Sequence, residues 1–211
     1  MTAHRHVRLS RPAHLAQAGD VLGRAFRDAP SFVHVFPDPA ERRRVVFFVH
    51  RALVGILASL GYSWAALDEA DRVVAASLWT PPGAVLGIWP FVRHGLVQLP
   101  FRFGFRKVQE MMRINDVMTS LRREHGPRPH WYLDILGVDP EAQGCGVGGT
   151  RLRRDLAEFV DPTGIPAVLW TGQPRNLPFY ERNGFEILQE EHFGGSDGFT
   201  QWLMARPAQG P

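Results

Sequence analysis

Residues 131–160 read WYLDILGVDPEAQGCGVGGTRLRRDLAEFV, and this stretch decides the fold. Its first eight residues, 131–138, are aromatic, branched or small and apolar except for Asp134, which predicts a buried strand. A glycine-rich loop follows, and a helix is predicted from about Gly146 to Val160. Its predicted buried positions are Val147, Leu152, Leu156, Phe159 and Val160. Residues 165–171 are apolar and form the next predicted strand, so this part of the chain is a strand, helix, strand unit.

The loop QGCGVGG, residues 143–149, is the strongest chemical signal in the sequence. Glycines allow a tight turn and leave neighbouring N–H groups unshielded, and the start of the following helix adds unpaired amides and the positive end of its dipole. Such a loop suits phosphate oxygens. A tight connection without a ligand is the alternative that the pattern leaves open.

Two common phosphate-binding motifs do not fit the loop. Gly144, Gly146 and Gly149 satisfy the dinucleotide fingerprint, but the next strand, AVLWT at 167–171, supplies no acidic residue for a ribose. No Gly-Lys-Ser/Thr triplet follows the glycines, which excludes a P-loop.

Composition indicates a folded protein and excludes several classes. The chain has 211 residues, of which 45% are hydrophobic and 21% charged, with a formal net charge of only +3. That charge does not predict nucleic-acid binding. Cys145 is the one cysteine, so neither an intrachain disulfide nor a CxxC metal motif can form, and no metal is expected. The N-terminal residues resemble no secretory signal and no apolar stretch is clean enough to span a bilayer, so we expect a cytoplasmic protein without membrane contact.

The rest of the chain predicts alternating strands and helices within one domain, 1–211. Predicted helices cover residues 12–28, 40–60, 85–99 and 105–124, with a short one after Asn176, and Gly184 lies just past the end of that short helix. Further strands are predicted at 7–9, 62–67, 72–79, 185–191 and 198–205. We interpret residues 84–125 as a variable helical insertion.

Two ordered motifs in residues 129–186 resemble the GCN5-related N-acetyltransferase (GNAT) family. They are VDPEAQGCGVG at 138–148 and PRNLPFYERNGF at 174–185, and the second is especially similar to puromycin N-acetyltransferase and its actinobacterial relatives. The resemblance implies an α+β fold. Its centre is a mixed, twisted sheet of six to seven strands, with helices on both sides and two central parallel strands that splay apart.

The resemblance also implies acetyl-CoA as acyl donor, bound where those strands separate. Leu136, Gly137 and Val138 would face the pantetheine arm. The pyrophosphate would lie on Gln143, Gly144, Cys145, Gly146, Val147, Gly148, Gly149 and Thr150. Asn176 would cap its short helix or contact the donor. The 3′-phosphate of CoA is predicted to contact Arg151, Arg153 and Arg154. The run Arg42 to Arg44 is predicted to be mainly a solvated helix face.

By resemblance, Tyr180 corresponds to the tyrosine that protonates the leaving thiolate, although packing beside Phe179 and Phe185 is the alternative. A phenol suits this role because it stays protonated at neutral pH. The puromycin-type pattern has a glutamate where this chain has Trp170, which leaves the general base open. Asp134 is our candidate, since strand alternation predicts it on the same face as Leu136 and Val138. Pairing with an arginine is its alternative role, and His34 and His130 are weaker candidates.

The predicted acceptor is a small, partly apolar amine. This follows from the aromatic character of the segments that line the acceptor pocket in this family, from which we single out Phe32, His34, Trp79 and Trp170 as substrate-binding residues. Two alternatives stay open: a protein or peptide N-acetyltransferase, and a non-catalytic acyl-CoA-binding module in which Trp170 marks loss of the base. A homodimer is compatible with the sequence but is not indicated by it.

Overall fold

The computed structural model describes residues 4–209, which fold around one seven-stranded sheet. The strands are β1 Arg5–Arg8, β2 Ser63–Leu67, β3 Val73–Thr80, β4 Trp131–Val138, β5 Ala167–Thr171, β6 Glu186–Phe193 and β7 Phe199–Arg206. They lie in the order β1-β2-β3-β4-β5-β7-β6. Strands β4 and β5 pair in parallel, and the other neighbours pair antiparallel. The mixed, helix-flanked sheet expected from the resemblance is therefore confirmed.

Helices cover both faces of this sheet. They are α1 Pro12–Ala25, α2 Pro30–Val35, α3 Pro39–Ala58, α4 Ile88–Arg93, α5 Leu99–Phe103, α6 Phe105–His125, α7 Val147–Asp155 and α8 Leu177–Glu181. A π-helical turn, Leu156–Val160, extends α7. Within residues 4–209, no helix is both long enough and apolar enough to cross a membrane.

Helices α1 and α3 pack closely on one face of the sheet. A Cβ added at Gly19 would stand 2.7 Å from Cγ of Arg51, and one at Gly23 would stand 2.8 Å from the Phe47 ring. Glycine at these two positions therefore lets the helices approach. Helix α3 begins where Asp38 accepts a hydrogen bond from the Glu41 N–H at 2.7 Å, with a proline at its first position.

Helix α7 covers the opposite face. Leu152, Leu156 and Val160 pack there against Trp131 and Leu169, and the predicted buried positions of α7 are confirmed, with Phe159 only partly buried. The core thus consists of two layers, one on each side of the central strands.

Two segments differ from the sequence prediction. Residues 30–35 form the short helix α2, which the sequence analysis treats as a break after Ala29-Pro30; six residues are too few to show a helical period. Arg42 was predicted on a solvated face but is buried. Its guanidinium donates to the carbonyls of Phe36 and Pro37 at 2.9 Å each, and so closes the turn before α3.

A buried ion pair links α7 to the sheet. Arg151 and Asp155 are both inaccessible, with Nη2 of Arg151 2.7 Å from Oδ1 of Asp155, and the indole of Trp79 donates to Oδ2 of Asp155 at 3.0 Å. The prediction that Arg151 binds the 3′-phosphate is therefore wrong. Its spacing of four residues from Asp155 was visible in the sequence and indicated an intrahelical pair.

Asp155→Asn is expected to lower the free energy of unfolding by about 3–5 kcal/mol, because the substitution removes the buried counter-ion of the Arg151 guanidinium and leaves only the exposed Glu158 carboxylate, 3.8 Å away. Urea denaturation measures the loss. Arg154→Ala, at an exposed position on the same helix, is the matched control and is expected to change stability by roughly 0.5 kcal/mol or less. A loss below about 1 kcal/mol for Asp155→Asn would contradict the structural role of the pair.

Candidate active site

A wedge opens between the two central parallel strands. Strands β4 and β5 share three register pairs, from Trp131 with Ala167 to Leu133 with Leu169. Beyond Leu133, in the part of the chain that the structure describes, β4 has no strand partner on its β5 side. Residues 134–138 therefore keep backbone groups on that edge that an extended ligand can use.

The glycine loop lies at the carboxyl end of β4, as the sequence predicts. Gly144 and Gly146 have φ angles of +81° and +77°, and a Cβ built on either would have no atom within 4 Å. The two positions need glycine for their backbone conformation and border open space. Gly146 directly precedes α7, so the unpaired first-turn amides of that helix face the same loop.

Three side-chain contacts hold the base of the loop. The Arg24 guanidinium at the end of α1 bonds Asp139, with Nε 3.0 Å from Oδ2. Asp139 Oδ1 also accepts the Glu141 N–H at 3.2 Å. The Gln143 amide donates to the Val138 carbonyl at 3.1 Å, so its side chain turns back onto β4. These contacts hold residues 138–143, the segment that leads into the loop, in place.

The first turn of α7 packs against β4, and the exposed cation of Arg153 lies beside it. A Cβ on Gly148 would stand 2.8 Å from Cγ2 of Val138, so this glycine is required for close packing. Arg153 is exposed, and its guanidinium reaches back over the first turn, with Nη2 3.5 Å from Oγ1 of Thr150. Of the three arginines that the sequence singles out here, Arg153 is the one beside the loop.

A β-bulge decides where Asp134 points. The register with β3 runs from Leu78 with Ile135 to Trp79 with Leu133, so Asp134 is the extra residue. Its carboxylate accepts a hydrogen bond from the Thr80 hydroxyl at 2.7 Å, whereas Leu136 packs on the α7 side. The prediction that Asp134 shares a face with Leu136 and Val138 is therefore wrong, because the bulge interrupts the alternation on which it rests.

The surroundings of Asp134 favour its neutral form. Burial raises the pKa of Asp134 to about 7, although the Thr80 hydrogen bond and the charge of Arg122 act against that rise. A carboxyl group with such a pKa exchanges its proton near neutral pH, which suits a general base. Pairing with an arginine is the alternative role for Asp134. The nearby arginine is Arg122, and its guanidinium lies over the ring of Tyr132, 3.8 Å from the ring centroid.

Trp170 lies on β5 just beyond the last pair with β4. It packs with Tyr132 and Leu203, and its indole nitrogen is buried without a hydrogen-bond partner among residues 4–209. A buried donor without a partner is costly and is rare in native structures, so this N–H is available to a ligand atom.

Tyr180 lies on α8, on the α7 side of the sheet. It is buried between Phe179 and Phe185, with ring centroids at 5.0 and 5.9 Å, and burial raises the pKa of its hydroxyl above the ordinary value. The phenol is therefore protonated throughout the neutral range. Asn176, predicted to cap this helix, is itself helical and instead donates from Nδ2 to Oγ1 of Thr171 at 3.3 Å, so the capping prediction is wrong.

The four predicted substrate contacts separate into different environments. His34 on α2 is half-buried, and its ring lies 5.4 Å from the ring of Phe199 at the start of β7. Trp170 lies beside the same strand, because its register partner is Leu203 of β7. Phe32 packs against His50 at 5.8 Å. Trp79 is completely buried under α7, so the prediction that it contacts substrate is wrong; β3 is covered on both faces, which hides the side of an aromatic residue from sequence reasoning.

Three residues of the site were not found from the sequence. Thr80 and Arg122 adjust the charge of Asp134, and Arg24 fixes Asp139 at the loop. Arg24 lies 115 positions from Asp139, and Arg122 lies on the helix that precedes β4, so neither contact follows from a local sequence pattern. Thr80 ends a predicted strand, but its contact depends on the bulge.

Residues 108–185 match the family model described as "Acetyltransferase (GNAT) family". Solved structures agree with the fold. A histone acetyltransferase HPA2 and related acetyltransferase from Corynebacterium glutamicum is 22% identical with a TM-score of 0.65, over 100% of this chain and 99% of that one. Arylalkylamine N-acetyltransferase 2 from Aedes aegypti is 13% identical with a TM-score of 0.66, over 98% and 99%. The PaiA N-acetyltransferase from Thermoplasma acidophilum, solved with coenzyme A, is 13% identical with a TM-score of 0.56, over 97% and 99%.

The family match covers β4, the glycine loop, α7, β5 and α8, which are the elements that form the wedge, and the fold of the described chain is the GNAT fold.

Proposed function

We propose that this protein transfers an acetyl group from acetyl-CoA to the amine of a small, partly apolar molecule. The observation that carries the proposal is Asp134. It is a half-buried carboxyl with a pKa near 7, placed by a bulge at the start of the wedge and beside the aromatic residues Tyr132 and Trp170. A single domain over residues 1–211 is part of this proposal, supported by one sheet that takes strands from residue 5 to residue 206.

The residues at the wedge fit the donor. Gly144 and Gly146 border open space with backbones that expose N–H groups, Arg153 adds a cation, and residues 136–138 offer an unpaired strand edge. These are the groups that a pyrophosphate and an amide-containing arm require. Bound acetyl-CoA would supply the thioester, and the protein would supply position and proton transfer.

The proposed reaction is a direct attack. The amine nitrogen bonds to the acyl carbon, and the bond between that carbon and sulfur breaks. Asp134, ionised, takes the proton that the nitrogen loses, directly or through a water molecule. The Tyr180 hydroxyl gives its proton to the departing sulfur; Asp134 then releases its proton to solvent and Tyr180 regains one, so atoms and charge balance.

The surroundings of Asp134 support an apolar acceptor. Tyr132 and Trp170 provide ring surfaces, and the unpartnered indole N–H can bind an acceptor oxygen or nitrogen. The similarity of PRNLPFYERNGF, residues 174–185, to puromycin-type enzymes supports including aminoacylated antibiotics among candidate acceptors.

A panel of amines tests this proposal. Release of free CoA and the mass of the product are measured with arylalkylamines, aminoacylated antibiotics and unstructured peptides that have free N-termini. We expect turnover with members of the first two groups. Turnover confined to peptides would overturn the small-molecule acceptor and indicate a peptide N-acetyltransferase. Binding of acetyl-CoA without any turnover would favour a binding module.

Asp134→Asn is expected to lower kcat/KM by about a hundredfold and to change the pH profile. In the wild type, kcat/KM rises with pH through about 7, because only the ionised carboxylate accepts a proton. An aromatic amine should be the acceptor, since its nitrogen is unprotonated over this range and the rise then reports the enzyme. A profile that keeps its midpoint in Asp134→Asn would exclude this carboxyl as the base.

The same substitution is expected to stabilise the protein at neutral pH. Because the pKa of Asp134 is raised in the folded state, the folded chain binds more protons than the unfolded chain between about pH 4 and 7, and its stability falls as pH rises through that window. Asp134→Asn removes this decline, so the gain in unfolding free energy, about 1 kcal/mol or more, appears at pH 8 and vanishes near pH 4. Denaturation at both pH values measures it.

A further inference from the structure

The exposed apolar side chains of the protein are concentrated in one segment. Among the large hydrophobic residues that are exposed, eight lie between residues 85 and 112: Val85, Ile88, Trp89, Val92, Val97, Phe101, Phe105 and Met112. Trp89 is 76% exposed and Phe101 79%, and Phe101 stacks edge-on with Phe105 at 5.2 Å without being covered. Apolar groups so grouped in solvent indicate an interaction surface.

Two grooves run beside this segment, between its helices and the outer side of α3. The larger, of about 1030 Å³, has an aromatic floor and an arginine rim. Its aromatic residues are Phe47, Phe48 and Phe103, and its arginines are Arg43, Arg44, Arg51 and Arg102. The smaller, of about 550 Å³, includes Ile56, Trp89 and Arg93, and His94 lines both grooves. We call the grooves and the exposed residues 85–105 the basic aromatic face.

The charge of this face is of one sign. Residues 72–109 contain no aspartate or glutamate. The acidic side chains that reach the face from α1 and α3 are paired: Asp20 with Arg51, and Glu41 with Lys107. On the face and directly beside it, five arginines have no carboxylate within 4.0 Å among residues 4–209: Arg43, Arg44, Arg93, Arg102 and Arg106.

We propose that the basic aromatic face docks on the surface of a membrane that contains anionic phospholipid. Exposed tryptophan and phenylalanine suit the boundary between headgroups and acyl chains, and unpaired guanidinium groups bind lipid phosphates. The arginine rim above the aromatic floor matches the same order in a lipid, whose phosphate lies above its apolar chain. Two copies of the face would instead bring five unpaired arginines against five others, which disfavours self-association.

This inference does not depend on acetyl transfer, and it departs from the sequence-based expectation of no membrane contact. That expectation rests on the absence of a spanning segment, whereas the face would lie on the bilayer without crossing it.

Co-sedimentation with lipid vesicles tests the proposal on the full chain. Equimolar phosphatidylcholine and phosphatidylglycerol vesicles should bind the protein, phosphatidylcholine vesicles should bind it at least about tenfold more weakly, and salt should weaken the binding. Arg43→Gln and Arg93→Gln should each lower the partition coefficient roughly fivefold, and Trp89→Gln roughly tenfold. The matched controls, exposed and away from the face, are Arg11→Gln and Leu188→Gln, which should bind as the wild type does.

Several results would overturn the proposal. They are equal binding to both vesicle types, no binding to anionic vesicles, or a loss in the control variants as large as that in the face variants. Near-ultraviolet circular dichroism and light scattering accompany each variant, so that a folding defect is recognised. A dimer that Trp89→Gln dissociates would assign the face to self-association, and saturable capture of an acidic protein without vesicle binding would assign it to a protein partner.

Discussion

Gly146→Asp is expected to lower the affinity for acetyl-CoA by at least about a hundredfold. The residue has a φ of +77° immediately before α7, and a side chain placed there enters open space beside the amides that we propose for the pyrophosphate. A carboxylate in that space repels the phosphates by roughly 1–4 kcal/mol, and it also accepts the N–H groups that the phosphates would use. Isothermal titration calorimetry with acetyl-CoA measures the change.

Gly146→Asn separates charge from backbone strain. Asparagine has the size of aspartate and tolerates the same left-handed backbone, so it should cost about tenfold or less. Gly148→Asp should also abolish acetyl-CoA binding. It is a weaker test, because its Cβ would press on Val138 and so disturb packing as well as charge. Equal affinities in wild type and Gly146→Asp would exclude the loop as the phosphate site.

Tyr180→Phe is expected to lower kcat by about a hundredfold or more and to leave the affinity for acetyl-CoA within about twofold. The substitution keeps the ring that packs between Phe179 and Phe185 and removes only the proposed donor of the proton. Burial keeps that proton in place at neutral pH, since it raises the pKa of the phenol. Steady-state kinetics together with calorimetry measure the two quantities separately.

Tyr62→Phe is the matched control, because Tyr62 packs in the same core cluster against Trp131 and has no proposed chemical role. Its kcat should equal that of the wild type. Equal turnover in Tyr180→Phe would leave Tyr180 as a packing residue and would require another acid. A fall in kcat that a better leaving group, such as a thiophenol thioester, restores would support proton donation.

The local parts of the site were predictable from sequence. Strand β4 was predicted with its observed bounds, 131–138, and the glycine loop with its helix was predicted to within a residue at its start. Both depend on short-range patterns: a continuous apolar run and glycines that need a positive φ. The hairpin β6 and β7 was likewise predicted, from a turn at residues 194–197.

Burial of charge was not predictable from the same patterns. Arg42 and Arg151 resemble ordinary surface arginines in sequence, yet one bonds backbone carbonyls and the other pairs with Asp155. Their partners are set by how a turn and a helix meet the sheet. Trp79 was misplaced for a related reason, since a strand covered on both sides gives no pattern from which to choose a face.

Because of the bulge at Asp134, the number of residues in β4 matters for the chemistry as well as the residue type. Burial along β4 alternates regularly, so the extra residue leaves no trace in the pattern from which a strand is normally recognised. Deleting Leu133 while Asp134 is kept would remove the bulge and place the carboxylate opposite Trp79, on the α7 side of the sheet. In relatives, the length of this strand should therefore be matched before side chains are compared. An acidic residue at the same alignment position otherwise lies on one side of the sheet in one relative and on the other side in another.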